Sequence, residues 1–177
     1  MKLLQEIESI HNLQDIPIER LIKIKGIGLK KAAMIRAALE LSKRVNANHI
    51  NNQVMNHPQK IFECYKSIFT GKKQEYFYAL YLDNSKKVVH QKLLFIGTIN
   101  YSIVHPRDVF REAYLTGATS IICIHNHPSG NILPSKQDYQ ITNRLIQIGK
   151  IMDILIDDHI IIGKDQYYSF YENHDIL

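Results

Sequence analysis

Two histidines one residue apart, His125 and His127, precede a second polar pair, Ser135 and Asp138, across a gap of seven residues. At the end of an extended strand, residues i and i+2 point to the same side. His125-Asn-His127 can therefore offer two imidazoles to one point. Ser135, with Asp138 three positions on, has the form of a capping pair at a helix N-terminus. That turn can aim the Asp138 carboxylate back at the histidines. Two neutral imidazoles and one carboxylate make a three-ligand metal set that leaves a position open to water. Each part also has a plainer use: Ser135 and Asp138 as a cap alone, a strand-end histidine as a satisfied polar residue. Taken together, the spacing reads as a metal site built from His125, His127 and Asp138.

The elements that must position these residues are visible around them. Ser120-Ile-Ile-Cys-Ile124 is short, apolar and β-branched, which predicts a buried strand. Pro128 to Pro134 carries the residues of a loop. The helix capped by Ser135 continues through Ile141, Leu145 and Ile148 and is expected to close at Gly149. Upstream, Pro58 to Phe69 reads as a helix with proline at its start and Ile61, Tyr65, Ile68 and Phe69 toward a core. Glu75 to Asp83 and Lys87 to Ile96 read as a β-hairpin around Asn84-Ser85-Lys86. Gly97 to Val104 leads into His105-Pro106 and a helix that runs to about Leu115 and stops at Gly117. Downstream, Met152–Ile156, His159–Ile162 and Tyr167–Phe170 are expected strands. Asp158 and His159 read as turn and strand-edge residues; support for a ligand histidine is the other use open to them. This order of elements predicts an α/β (α+β) domain, a mixed sheet flanked by helices.

With 45% apolar residues in 177, the chain can bury a proper core. It lacks the roughly 18 uninterrupted apolar residues that span a bilayer, and its N-terminus has no apolar core of a signal peptide. Two cysteines, Cys64 and Cys123, make no disulfide framework. These features lead to the expectation of a cytoplasmic protein without membrane contact. The net charge of +5 is uneven. Arg20 to Arg44 holds eight basic residues against Glu40 alone, which suggests a polyanion as partner; a solvated helix face is the plainer alternative. Met1 to Asp15 has helical periodicity. A short amphipathic piece, Arg20 to Ile24, then meets Lys25-Gly26-Ile27-Gly28 and a strong helix from Leu29. This arrangement resembles a helix-hairpin-helix motif. Its glycines let the backbone approach a phosphate, helix amides face the anion, and Lys25, Lys30 and Lys31 supply charge. DNA contact through Lys25, Gly26, Gly28, Lys30 and Lys31 is the expectation, read from the backbone rather than the bases. Domain boundaries follow as 1–46 for this all-α hairpin, 47–56 for an Asn-rich linker and 57–177 for the metal-binding domain.

The string His125-x-His127, seven residues, Ser135-x-x-Asp138 resembles the JAMM motif of JAB/MPN-type zinc metalloproteases. The wider His125-Asn-His-Pro-Ser-Gly130…Pro134-Ser-x-x-Asp138 resembles the bacterial RadC family. Leu82-Asp83, Gly97-Thr98, His105-Pro-Arg-Asp108, Asp158-His-Ile-Ile-Ile-Gly163 and Tyr168-Ser169 extend the resemblance from about Ile24 to Phe170. It implies the JAB/MPN (cytidine deaminase-like) fold, a Zn²⁺ ion on His125, His127 and Asp138, and hydrolysis of a peptide or isopeptide-like amide. It also implies a glutamate upstream of the histidines as general base. Glu75 matches that position, with Glu63 and Glu112 as rivals. Ser135 becomes a donor to the oxyanion. The family name associates the chain with DNA repair. A repair or recombination factor without proteolysis, whose metal site is structural or nuclease-related, is the alternative. Two histidines and a carboxylate also suit a non-haem iron centre. A zinc deaminase would need a Pro-Cys-x-x-Cys sequence, which is missing.

Overall fold

The computed structural model describes residues 16–97 and 104–176, apart from the side chains of residues 43–49. The helix expected within residues 1–15 and most of the segment leading into Val104 lie outside that range. The chain divides into two compact units, residues 1–49 and 50–177.

In the smaller unit, α1 (Ile18–Ile22) is followed by a turn and by α2 (Leu29–Ile50). Ile16, Leu21, Ile24 and Ala32 are buried together, with Ile18, Ile27 and Ile35 packed against them. The turn is tied by Ile24 N–H to the Leu21 carbonyl and Ile27 N–H to the Ile24 carbonyl, at 3.1 and 2.9 Å. Gly26 stands at φ +95°, a left-handed conformation that favours glycine. The structure departs from the predicted linker over 47–56. Helix α2 continues to Ile50, and both Ile50 and Met55 are buried in the core of the larger unit. Val54 makes an antiparallel bridge to Lys87. Asparagines made this stretch look solvated, but its two apolar side chains anchor it.

The larger unit runs α3 (Pro58–Phe69), β1 (Tyr76–Leu82), β2 (Val88–Ile96), α4 (Pro106–Thr116), β3 (Ser120–Asn126), α5 (Lys136–Met152), β4 (Leu155–Ile162) and β5 (Tyr167–Ser169). The sheet order is β2-β1-β3-β4-β5. Only β3 and β4 pair in parallel; the other pairs are antiparallel. The expected mixed sheet flanked by helices is therefore what forms. One face packs Ile61, Phe62, Tyr65 and Phe69 of α3 onto Leu80, Leu82, Ile122, Ile124, Ile160 and Ile162. The other packs Val109, Phe110 and Ala113 of α4 and Leu145 of α5 onto Phe77, Ala79, Tyr81, Ile121, Cys123 and Ile161. Every residue of β3 is buried, which is why its sequence is a continuous apolar run rather than an alternating one.

Two boundaries differ from expectation. Helix α5 passes Gly149 and ends at Met152, with Asp153 taking the left-handed cap at φ +53°. The two short strands expected at Met152–Ile156 and His159–Ile162 form one strand, β4, interrupted by a bulge. The pairing with β3 jumps from Ile121↔Ile156 to Ile122↔Asp158, leaving Asp157 as the extra residue. Asp157 is held there by Lys86 Nζ at 2.7 Å and by the Ser120 hydroxyl at 2.6 Å. A bulge changes which face the following residues meet. Ile156 faces α4 and α5, Asp158 does not, and His159 and Ile161 do.

Candidate metal centre

Alternation along β3 puts Ile121, Cys123 and His125 on the α5 face, with Ile124 and Asn126 on the α3 face. His125 is buried, 4% exposed, and Phe77 stacks on its ring at 5.9 Å. His127 stands just past the strand end, its backbone N–H bonded to the Ile162 carbonyl at 3.2 Å. Its Nδ1 lies 2.7 Å from the Asn131 carbonyl, which can only accept, so Nδ1 carries a proton and Nε2 faces the site.

Asp138 arrives on the first turn of α5 through a complete capping box. The Ser135 hydroxyl accepts from Asp138 N–H at 3.2 Å, and Ser135 N–H donates to Asp138 Oδ2 at 2.7 Å. The Asp138 carboxylate then reaches the histidines, Oδ1 at 3.2 Å from His125 Nε2 and Oδ2 at 3.5 Å from His127 Nε2. The two Nε2 atoms are 3.0 Å apart. One ligand atom from each of the three residues falls within 4.8 Å of the others. Electron-rich atoms converging in this way need a cation or a proton among them, and the donor set of two imidazole nitrogens and a carboxylate oxygen suits zinc or iron(II). The charges are tuned accordingly. Burial pushes Asp138 up, but the neighbouring His125, His127 and Ser135 outweigh it and hold the carboxyl far below its ordinary range. Burial pushes His127 down, and the Asp138 carboxylate, the Asn131 carbonyl and the Glu75 charge outweigh it, raising the imidazole above 6.5.

Glu75 lies immediately before β1 and lines the same groove as His125 and Asp138. Phe77, Phe95, Val104 and Ile141 form the groove's apolar wall, and Gln137, Gln140 and Arg144 its polar side. The rival glutamates are elsewhere. Glu63 sits exposed on α3, against the opposite face of the sheet, accepting from Gln59 at 3.0 Å. Glu112 is bonded to Lys92 at 2.6 Å, an interaction that lowers its carboxyl. Ser135 is exposed, and its hydroxyl donates to Asp138 Oδ2 at 2.6 Å.

Three further residues complete the centre: Asn126 and Thr142, which the sequence did not single out, and His159, for which support of a histidine was one of two readings. Asn126, between the two histidines, is buried, 3% exposed. Its carboxamide accepts from Tyr76 N–H at 2.8 Å and donates to the Gln74 carbonyl at 3.1 Å. It thus ties down the backbone on both sides of Glu75. His159, expected at a strand edge, is fully buried with Nε2 2.8 Å from His125 Nδ1. Burial drives its imidazole well below the ordinary range, so it is neutral. Phe170 stacks on it at 5.1 Å. Thr142, one helical turn beyond Asp138, touches His159 Nδ1 at 2.6 Å. The signals were modest: an amide in a buried apolar strand, and a hydroxyl at i+4 from a ligand on the same helix face.

Residues 55–175 match the RadC-like JAB domain family. A UPF0758 protein of Bacillus cereus (strain G9842) is 41% identical over 176 residues, which is 99% of this chain and 78% of that protein. A UPF0758 protein of Geobacillus thermodenitrificans (strain NG80-2) is 42% identical over 172 residues, 97% of this chain and 76% of the relative.

Proposed function

The chain belongs to the RadC-like JAB domain family, and from that premise we propose that it is a zinc-dependent hydrolase of peptide or isopeptide-like amide bonds. The observation that carries this reading is the convergence of possible ligand atoms of His125, His127 and Asp138 within 4.8 Å, with His125 and Asp138 lining a groove shared with Glu75. His125, His127 and Asp138 would hold the ion. The ion supplies a Lewis acid that acidifies water and polarises a carbonyl. Glu75 takes the proton of the attacking water and delivers it to the leaving amine nitrogen. The Ser135 hydroxyl turns its proton from Asp138 to the carbonyl oxygen as negative charge develops there; one such donor is typically worth about 10²–10³ in rate. The apolar wall of Phe77, Phe95 and Ile141 excludes water from the bound substrate and orients it.

The test joins metal content to cleavage. Elemental mass spectrometry should give one zinc per chain for the wild type and none for His127→Ala or Asp138→Ala. A proteome-derived peptide library with labelled new N-termini should then show cleavage by the wild type. Glu75→Gln should keep its zinc and lose that cleavage. Cleavage by Glu75→Gln at the wild-type rate would remove Glu75 from the reaction, and a wild type that takes no zinc would end the hydrolase reading.

A second reading concerns the smaller unit, a contact to the DNA backbone. What supports it is that Lys25, Gly26, Gly28, Lys30 and Lys31 are all exposed around the turn where Gly26 takes φ +95°. Phosphate contacts of this kind give affinity that falls steeply with salt. Reversing Lys25, Lys30 and Lys31 to Glu in the full chain should abolish duplex binding at low salt; equal binding by that variant would refute the reading.

A further inference from the structure

We propose that His159 and Thr142 are positioning residues that fix the tautomer of His125, leaving its Nε2 bare for a metal ion. The proposal rests on the metal reading above. It starts from Thr142. The Oγ1 atom lies 2.6 Å from the Asp138 carbonyl oxygen. A carbonyl only accepts, and two oxygens that close have a proton between them. The single hydroxyl proton of Thr142 is therefore committed to Asp138.

The same Oγ1 lies 2.6 Å from His159 Nδ1. With its own proton committed, Oγ1 accepts, so His159 Nδ1 carries a proton. His159 is 0% exposed, and its ring nitrogens are partnered by His125 and Thr142 rather than by a carboxylate. An unpaired charge there would be costly, so the ring is neutral and its Nε2 is bare. That Nε2 lies 2.8 Å from His125 Nδ1 and accepts from it. His125 then has its proton on Nδ1 and a free lone pair on Nε2, the atom that faces Asp138 and His127.

The chain begins at one ligand, His125, and ends on the backbone of another, Asp138. Its direction is set by a group that cannot donate. The reverse order would put the Thr142 proton on His159, leave two oxygens in contact without a proton, and protonate His125 on the very nitrogen that must bind. Hydrogen bonds to the remote nitrogen of a ligand histidine commonly contribute 10–100-fold in metal affinity.

Two measurements on the full chain test this. Long-range ¹H–¹⁵N correlation of ¹⁵N-histidine protein, stripped with a chelator, reports which ring nitrogen bears each proton. Nδ1–H on both His125 and His159 is expected; a His125 Nδ1 without a proton overturns the proposal and needs no variant. Zinc affinity, from competition with a chromophoric chelator, should fall 10–100-fold in Thr142→Val and stay near wild type in Thr142→Ser, which keeps the hydroxyl. Thr142→Val binding zinc as the wild type does also overturns it, while leaving the metal site standing. A wild type that binds no zinc instead refutes the hydrolase reading, and the tautomer measurement still decides the present one.

Discussion

If the proposed zinc binds here, it must compete with a proton on His127, and the competition can be read from heat denaturation. The Asp138 carboxylate and the Asn131 carbonyl outweigh the effect of burial and raise His127 above 6.5. Asp138 itself, held far below its ordinary range, stays ionised across the pH range in which proteins are usually handled. The sign follows. A raised imidazole keeps its proton where a free one would shed it, binding a metal expels that proton, and affinity falls as pH falls. In the limit where His127 is fully protonated at pH 6.5, a single expelled proton makes the Kd about tenfold weaker from pH 6.5 to 5.5. At free zinc 100 times the Kd at pH 6.5, binding adds about 2.7 kcal/mol to stability. At pH 5.5 and the same free zinc, the ratio is about 10 and the gain about 1.4 kcal/mol. For a chain of this length, 1 kcal/mol moves Tm by roughly 2–4 °C, so the zinc-induced rise should shrink from about 5–11 °C to about 3–6 °C. Differential scanning fluorimetry with buffered free zinc measures this directly, with zinc-free controls at each pH removing the fold's own pH dependence. An equal rise at the two pH values would show that no proton is displaced, and the account of His127 would be wrong.

Three other perturbations probe separate parts of the centre. Asp138→Asn keeps the shape of the side chain and removes its charge; His127 should then titrate at lower pH than in the wild type, and an unchanged NMR titration curve would contradict the assigned cause. Asn126→Ala leaves Tyr76 N–H and the Gln74 carbonyl without their buried partner, which should cost about 1–3 kcal/mol in a urea titration; a cost near zero would mean that the backbone around Glu75 is held by something else. Gly163→Ala would place a Cβ 2.7 Å from the Gly130 carbonyl and from Ile132 Cγ2. The loop between His127 and Asp138 would have to shift, destabilising the fold by roughly 1–3 kcal/mol and weakening zinc binding; unchanged values for both would show that the loop yields freely.

The grouping of His125, His127 and Asp138 was legible in the sequence because local geometry brings each toward the others. Strand alternation carries His125, and the Ser135 capping box carries Asp138. Glu75 needed more, since nothing local joins residue 75 to residue 125; the antiparallel register of β1 on β3, with Phe77 opposite His125, brings them together. The linker was misread because asparagine content was weighed above Ile50 and Met55, whose burial decides where that segment goes. Gly149 was misread as a stop because glycine at a helix end suggests a cap, whereas here Asp153 takes the left-handed position.

The side to which His159 points was hidden by the bulge. Counting alternately from Ile156, which faces α5, puts Asp158 on the same face and His159 on the other. Asp157, the extra residue held by Lys86 and Ser120, reverses that count. The reversal directs His159 to His125 and turns the Asp158 carboxylate away, toward the Ser169 hydroxyl at 2.7 Å and the Tyr171 N–H at 3.0 Å. Were Asp157 paired in a regular ladder instead of bulged out, the Asp158 carboxylate would sit behind His125 in place of a neutral imidazole. The site therefore depends on register as much as on residue type. A slip of one residue in β3 would exchange His125 with Asn126 between the two faces. Burial of β3 on both faces and pairing along both edges oppose that slip. A strand so constrained can hold His125 and Asn126 on opposite faces, with His127 just past its end, where a freer one could not.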